Sequence, residues 1–416
     1  MRVRLVLGAL VLSWTGHVHA ADSLAAERIV RLEKSMQQLV DAGTRQGIVW
    51  AVARDGVILH SGAHGWRDRD AAQPIALDSV FRIYSMTRAV TAVALLQLVD
   101  QGKVRLTDPV GDYLPALQDL RQITRIDAEG VVTGPATEPV TLQQLLTYTA
   151  GFAYAPQYPA SVGVDHRAIL ALHQTPAAAM QKLASYPLRD APGARWRYGY
   201  HSDVLGILVE TVSGQRLDNY LQEHIFAPLA MRDTGFVARE PERLVHAYDD
   251  AGNDITAQLP PSSDYLQPTV FHSGGGGLVS TAGDWVRFAS MLINDGTLGD
   301  VRIISAASAR AMRRNQLTPA QGPLFDYPEA DFGQPGFAAR FAGYGWGYSV
   351  GVRLADGAHS IPGQPGEISW GGLANTQWLP VPESGLVAVV FAQYFGARAP
   401  ATDTALRTAL FAEPPD

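Results

Sequence analysis

Apolar positions follow helical spacing at the start of the chain, strand alternation soon after, and strand alternation again near its end. Residues 23–40 set Leu24, Ile29, Val30, Leu32, Met36, Leu39 and Val40 close to a 3.6-residue period, which predicts an amphipathic helix. Residues 47–53 and 57–60 are rich in branched side chains and are joined by Arg54-Asp55-Gly56. Asp-Gly suits the tight turn that matches strand twist, so this pair reads as a hairpin. A polar connection over 67–80 then leads into residues 80–99, an almost unbroken apolar helix that Gly102 should end. Ser85 stands at the mouth of that helix with Arg88 one turn further on, which puts the two on one face. Unpaired N–H groups and the helix dipole favour developing negative charge there, as a nucleophile needs. Taken alone, these residues fit an N-cap serine ahead of a core helix at least as well.

From residue 106 to about 336 the pattern is long on helix and loop and short on alternation. Thr141 is a good N-cap for a helix over 141–146 that closes in a turn over 147–152; further helices are expected over 202–213 and 217–226. Residues 249–253 read as a tight turn between short strands, since their acidic spacing is wrong for a calcium loop. Gly274 to Gly277 lack the following Gly-Lys-Ser/Thr of a phosphate loop and fit a backbone passing close to something else. Beyond Gly343 strands are expected over 347–354, 373–379 and 386–394, then a closing helix over 402–411. Strands at both ends around a helical middle predict an α/β protein of α+β type, with an antiparallel sheet assembled from the two ends. The sheet region covers about 21–80 and 337–416, and the inserted, mainly helical region about 81–336.

Composition narrows what such a fold could be doing. With 416 residues, 47% of them hydrophobic, the chain can bury a large core. Residues 1–20 read as a cleavable secretory signal: Arg2 and Arg4, an apolar run from Leu5 to Trp14 too short to span a bilayer, and a polar end at Val18-His19-Ala20. Removing it takes away two of 33 basic residues and none of 40 acids, so the mature charge is 31 − 40 = −9. That balance argues against nucleic acid or anionic membrane as partners. There is no cysteine, which excludes disulfides, thiol nucleophiles, cluster ligation and a lipid-anchoring cysteine. The nine histidines after residue 20 include no His-Glu-x-x-His, so neither metal nor cofactor is expected. The expectation is a periplasmic or secreted protein of bacterial type without a membrane anchor.

Gly347-Tyr348-Ser349-Val350-Gly351 matches the nucleophile-elbow pattern, but that motif needs strand, turn and helix. Here strand and turn residues follow, so Ser349 reads as an ordinary strand serine. Other stretches give Ser85 better company. Phe81-Arg82-Ile83-Tyr84-Ser85-Met86-Thr87, Leu145-Leu146-Thr147-Tyr148-Thr149-Ala150-Gly151, Tyr198 with Asp203-Val204-Leu205-Gly206, Pro228-Leu229-Ala230-Met231-Arg232-Asp233-Thr234-Gly235-Phe236, Gly276-Gly277-Leu278-Val279-Ser280-Thr281-Ala282-Gly283-Asp284 and Gly366-Glu367-Ile368-Ser369-Trp370-Gly371-Gly372 occur in register. Together they resemble the serine β-lactamase-like hydrolases, in particular the class C β-lactamase and family VIII carboxylesterase branch, over most of the mature chain.

The resemblance implies that Ser85 attacks a carbonyl to form an acyl-enzyme while Tyr198 shuttles the hydroxyl proton. It implies an oxyanion hole from the backbone N–H groups of Ser85 and Leu373, with Trp370-Gly371-Gly372 standing where lactamases of this branch carry Lys-Thr-Gly. Without that lysine a β-lactam carboxylate has no anchor, so a small ester is the better substrate match. Two departures stand out. The family's Ser-x-x-Lys is Ser-Met-Thr-Arg, and Arg88 cannot accept a proton. Tyr200 replaces the asparagine often found two residues past the tyrosine. A guanidinium within ~4 Å would attract a Tyr198 phenolate by roughly 4 kcal/mol at intermediate dielectric, with burial opposing. The readings are therefore a carboxylesterase using Ser85 and Tyr198 with Arg88 as a fixed electrostatic partner, a non-catalytic relative binding a small ligand, or a β-lactamase or D-Ala-D-Ala-type peptidase acting on an amide.

Overall fold

The structure is a computed structural model and describes residues 26–327 and 337–412. The signal expected over 1–20 lies outside the described residues. Among these, no helix is long and apolar enough to cross a membrane.

Gly47–Arg54 and Val57–Asp68 form the expected hairpin, with Asp55 (φ 50°) and Gly56 (φ 82°) supplying the two positive φ values of its turn. Gly47–Arg54 also pairs antiparallel with Leu386–Phe391, Val49 opposite Phe391 and Arg54 opposite Leu386. This pairing of the two chain ends sits inside an eight-stranded sheet. In order across the sheet the strands are Tyr344–Trp346, Gly351–Arg353, Ile368–Gly371, Thr376–Val381, Leu386–Phe391, Gly47–Arg54, Val57–Asp68 and Gln73–Pro74.

Alternation along Gly47–Arg54 decides the layers. Ile48, Trp50 and Val52 join Leu32 and Met36 of the Ala26–Asp41 helix and Leu406, Ala409 and Leu410 of the Pro400–Phe411 helix. Val49, Ala51 and Ala53 face the other way, into the larger core that holds Trp285, Phe288 and the Thr87–Asp100 helix. A strand covered on both faces needs apolar residues throughout, which explains its near-continuous hydrophobic run. Thr87–Asp100 is itself buried at every position from Thr87 to Leu98. Hydrophobic on all sides, it is the central helix of the large core.

Several elements differ from the sequence reading. Residues 347–354 are not one strand: Tyr344–Trp346 and Gly351–Arg353 pair across a turn containing Ser349 at φ 61°. Ser349 is thus a fully buried turn serine with no helix after it. Residues 373–379 likewise split, Ile368–Gly371 reversing through Asn375 (φ 69°) into Thr376–Val381, so Leu373 lies in the turn and is 48% exposed. Leu217–Leu221 runs on into a π-helical turn, Gln222–Phe226, instead of continuing as one α-helix. The helical middle also holds a hairpin of Arg121–Asp127 with Gly130–Pro135 that the sequence reading passed over.

The C-terminal helix is tied to the sheet by buried charge. Arg407 donates from Nη1 to Glu367 Oε1 at 2.5 Å and from Nε to both Asp403 oxygens at 3.0 Å, and Arg340 Nη2 lies 2.9 Å from Asp403 Oδ2. Glu367 immediately precedes the strand that carries Trp370 and Gly371. Removing one member of such a set strands its partners in a dry interior. Arg407→Met should therefore lower the unfolding free energy by roughly 3–5 kcal/mol. Urea denaturation of the two proteins measures this, and a loss below ~1 kcal/mol would contradict it.

Candidate active site

The Ser85 segment begins as a strand. Phe81 and Arg82 pair with Ser280 and Val279, and the Ile83 N–H continues the pairing to the Leu278 carbonyl at 3.1 Å. The chain then turns sharply: Tyr84 adopts φ 40°, Tyr84–Met86 form a 3-10 turn, and the α-helix starts at Thr87. Ser85 is therefore on the turn ahead of the helix and is not its N-cap, which is Met86. A bulky residue at positive φ costs on the order of 1–3 kcal/mol and persists only where its surroundings fix it. Here the Tyr84 ring is held edge-on between Tyr265 and Phe395.

The C-terminal end of the Ile368–Gly371 strand arrives at the same place. A Cβ on Gly372 would lie 2.4 Å from the Ile83 carbonyl oxygen and 2.3 Å from Thr376 Oγ1, so only glycine lets the strand exit pass this close to the Ser85 turn. Ser85, Arg88 and Tyr198 line one cavity of about 500 Å³ together with Gly371, Gly372 and Leu373. Trp370 and Tyr200, expected as substrate-binding residues, do not line it. Both are buried behind it, because the alternation of the strand turns Trp370 inward and the Tyr200 hydroxyl is drawn to His166. Trp370 instead donates from its indole N–H to the Tyr198 oxygen at 3.2 Å.

Arg88 is 1% exposed and does not extend into the cavity as an open charge. Its Nη1 donates to the Tyr148 hydroxyl at 2.7 Å and the Gly199 carbonyl at 3.2 Å, and its Nη2 donates to the Tyr154 hydroxyl. The guanidinium carbon lies 4.3 Å from the centroid of the Tyr198 ring, stacked in a cation–π contact. Burial opposes this charge, yet the oxygens of Tyr148, Tyr154 and Tyr198 and the Asp203 carboxylate outweigh it and hold Arg88 well above its ordinary pKa. Burial pushes the Tyr148 phenol up to about 12 despite the neighbouring cation, so it stays protonated, and it shares a hydrogen bond with Ser202 Oγ at 2.7 Å.

A second charge stands behind the first. Asp203 is 1% exposed, and its Oδ1 accepts from Ser273 Oγ at 2.5 Å and the Gly275 N–H at 3.1 Å. Burial raises its pKa against the pull of Arg88, Ser273 and Gly275. The glycine run over 274–277 does pass close to other groups: a Cβ on Gly275 would fall 2.7 Å from Asp203 Oδ2, and Gly275 to Gly277 form cavity wall. Tyr148, Tyr154, His166 and Ser273 were missed in the sequence because each acts through a partner far along the chain. Tyr148 alone left a signal, within the motif Leu145 to Gly151. Asp68, His246 and Asp254 bring possible ligand atoms within 4.8 Å of one another away from the cavity, where His246 Nδ1 and Asp254 Oδ2 already satisfy each other at 2.6 Å.

Residues 32–413 match the family model described as Beta-lactamase. Protein Rv1367c of Mycobacterium tuberculosis is 33% identical over 375 residues, covering 87% of this chain and 89% of the other. Esterase EstB of Burkholderia gladioli is 31% identical over 418 residues, covering 93% and 96%. Among solved structures, EstCE1, a hydrolase with promiscuous acyltransferase activity, superimposes with a TM-score of 0.74 at 26% identity, over 92% of this chain and 98% of that one.

Removing the Tyr148 hydroxyl would leave Arg88 Nη1 and Ser202 Oγ each short of a buried partner. Tyr148→Phe is expected to destabilise the fold by about 1–3 kcal/mol. Chemical denaturation at neutral pH checks this, and an unchanged midpoint would show that the phenol's hydrogen bond does not stabilise the buried charge.

Proposed function

The chain belongs to the β-lactamase family, and from that premise we propose that it is an exported serine carboxylesterase acting on small esters through an acyl-enzyme at Ser85. The observation that carries this is the convergence of Ser85, Tyr198 and the Gly371-to-Leu373 turn on one cavity. Relatives of this fold include the esterase EstB and the hydrolase EstCE1, which supports ester chemistry as the class. Export rests on the charge and apolar pattern of residues 1–20.

In this reading Tyr198 takes the Ser85 hydroxyl proton as Oγ attacks the ester carbonyl. The oxyanion is held by the N–H groups of Ser85 and Leu373. Tyr198 returns the proton to the leaving alkoxide, and water repeats the sequence to release the acid. Arg88 does not titrate. It acts as a fixed cation against the Tyr198 ring, with the Trp370 N–H on the phenol oxygen. Ester rather than β-lactam chemistry draws support from Trp370 standing where the Lys-Thr-Gly lysine would anchor a β-lactam carboxylate, and from both Arg88 Nη groups being bonded to Tyr148, Tyr154 and Gly199. A second reading, a non-catalytic binder of small ligands, draws support from Arg88 standing where the family places a titratable lysine.

Ser85→Ala should abolish labelling by a fluorophosphonate and lower hydrolysis of p-nitrophenyl butyrate by about 10³-fold or more. Failure of the wild type to be labelled or to hydrolyse any short ester would favour the binding reading. Nitrocefin turnover equal to ester turnover would favour a lactamase. Arg88→Lys restores a titratable neighbour and should raise ester turnover ~10-fold. Unchanged or lower turnover in a folded Arg88→Lys protein would mean that the site works only with the guanidinium in place.

A further inference from the structure

His166 opens the short His166–Ile169 helix and lines the cavity that contains Ser85, where its residue surface is exposed. Its Nδ1 lies 2.8 Å from the hydroxyl of Tyr200, a residue with no exposed surface. Among the described residues the Tyr200 hydroxyl has no other hydrogen-bond partner, and Nε2 of His166 has none. Burial raises the Tyr200 phenol far above its ordinary range, so the hydroxyl keeps its proton. Burial also lowers His166, against the pull of Asp203 and Asp165, so the imidazole is neutral at pH 7. A phenol is a better donor than acceptor. With its proton directed at the Nδ1 lone pair, the imidazole must carry its own proton on Nε2. The tautomer is assigned from that hydrogen bond.

The ring is also fixed in angle. Tyr154 stands edge-on to His166, centroids 5.4 Å apart at 83°, and edge-on to Tyr200 at 4.8 Å and 82°. Elsewhere this cavity presents Leu170, Leu172, Phe236, Pro260 and Phe271. The same lining also carries polar residues such as Gln157, Ser262 and Thr269, and an oriented donor next to the apolar stretch distinguishes ligands by whether they offer an acceptor there, since a donor covered by an alkyl group loses its partner.

We propose that Tyr200 and His166 form a specificity subsite in which the Nε2–H of His166 donates to a neutral carbonyl oxygen that the substrate carries away from its scissile bond. The substrate class is thereby narrowed from simple alkanoate esters to keto esters or diesters. The inference rests on the reading of this cavity as the substrate site, and does not require Ser85 to be an active nucleophile.

Binding to Ser85→Ala protein tests it without turnover. The probes are N-phenyl amides of 3-oxobutanoic, 4-oxopentanoic and 5-oxohexanoic acids, each paired with the N-phenyl amide of the straight-chain acid of equal length, titrated by calorimetry. At least one keto amide should bind about 3- to 10-fold more tightly than its alkyl match, the span expected of one neutral hydrogen bond. The preference should vanish in Ser85→Ala/His166→Phe. Nitrogen-15 spectra of the imidazole in wild-type protein give a second readout independent of any ligand: His166 should be the Nε2–H tautomer, and Tyr200→Phe should remove that bias. Equal binding of all pairs, no binding of any, a preference surviving His166→Phe, or an Nδ1–H tautomer would each overturn the proposal. Failure of the Ser85 reading looks different, because esters would go unhydrolysed by the wild type while the keto preference persisted.

Discussion

A permanent charge with almost no access to solvent has to be neutralised on the spot, and the architecture around Arg88 follows from that requirement. A lone ion in a medium of low dielectric is prohibitively costly, and unlike a lysine a guanidinium cannot shed its proton to escape. Its planar, many-donor shape instead lets it satisfy several acceptors at once. Tyr148 and Tyr154 come from one loop, the Gly199 carbonyl and the Tyr198 ring from another, and Asp203 balances charge from behind. Two loops distant in sequence are thus held together by one cation. The cavity wall they form is as rigid as that cation's hydrogen bonds.

The other side of the cavity is built by close approach. Gly372 passes against the Ile83 carbonyl, and the paired residues Phe81 and Arg82 hold the Ser85 turn in place from below. Strain at Tyr84 is tolerated because aromatic rings on both sides leave it no other position. At the other end of the Ile368–Gly371 strand, the buried Glu367, Arg407 and Asp403 set fixes the element that delivers Trp370 to Tyr198. Orientation of Tyr198 therefore depends on a helix at the far end of the chain.

Features specified by neighbouring residues were legible in the sequence, and those specified across the fold were not. Asp55-Gly56 announces its turn locally, Thr141 and Gln144 form a reciprocal cap within three residues, and Gly102 at φ 69° follows the central helix it helps to end. The sheet made from both chain ends was readable because its strands, and most of the chain's strand alternation, lie towards those ends. Within the last third, Ser349 and Asn375 sit in left-handed turns without a Gly-Pro signal, so two pairs of short strands read as longer single ones. The candidate site shows the same divide. Ser85, Tyr198 and the glycine pair stand out by motif, whereas Trp370 and Tyr200 carry the right residue types but act from behind the wall. Nothing near Arg88 in sequence reveals that Tyr148 and Tyr154 would absorb its charge, and nothing near His166 reveals Tyr200.

The pairing of Gly47–Arg54 with Leu386–Phe391 at the heart of the sheet also governs when the protein can become itself. During synthesis the first hairpin emerges well before its central neighbour, with the whole helical middle of the chain coming out between them. Until then an almost wholly apolar strand has one edge unpaired. Contacts so distant along the chain are slow to form and leave intermediates prone to sticking. The helical middle can collapse first around Thr87–Asp100, while closure of the sheet waits for Leu386–Phe391. Nascent protein of this kind depends on being kept from its neighbours until that strand has emerged.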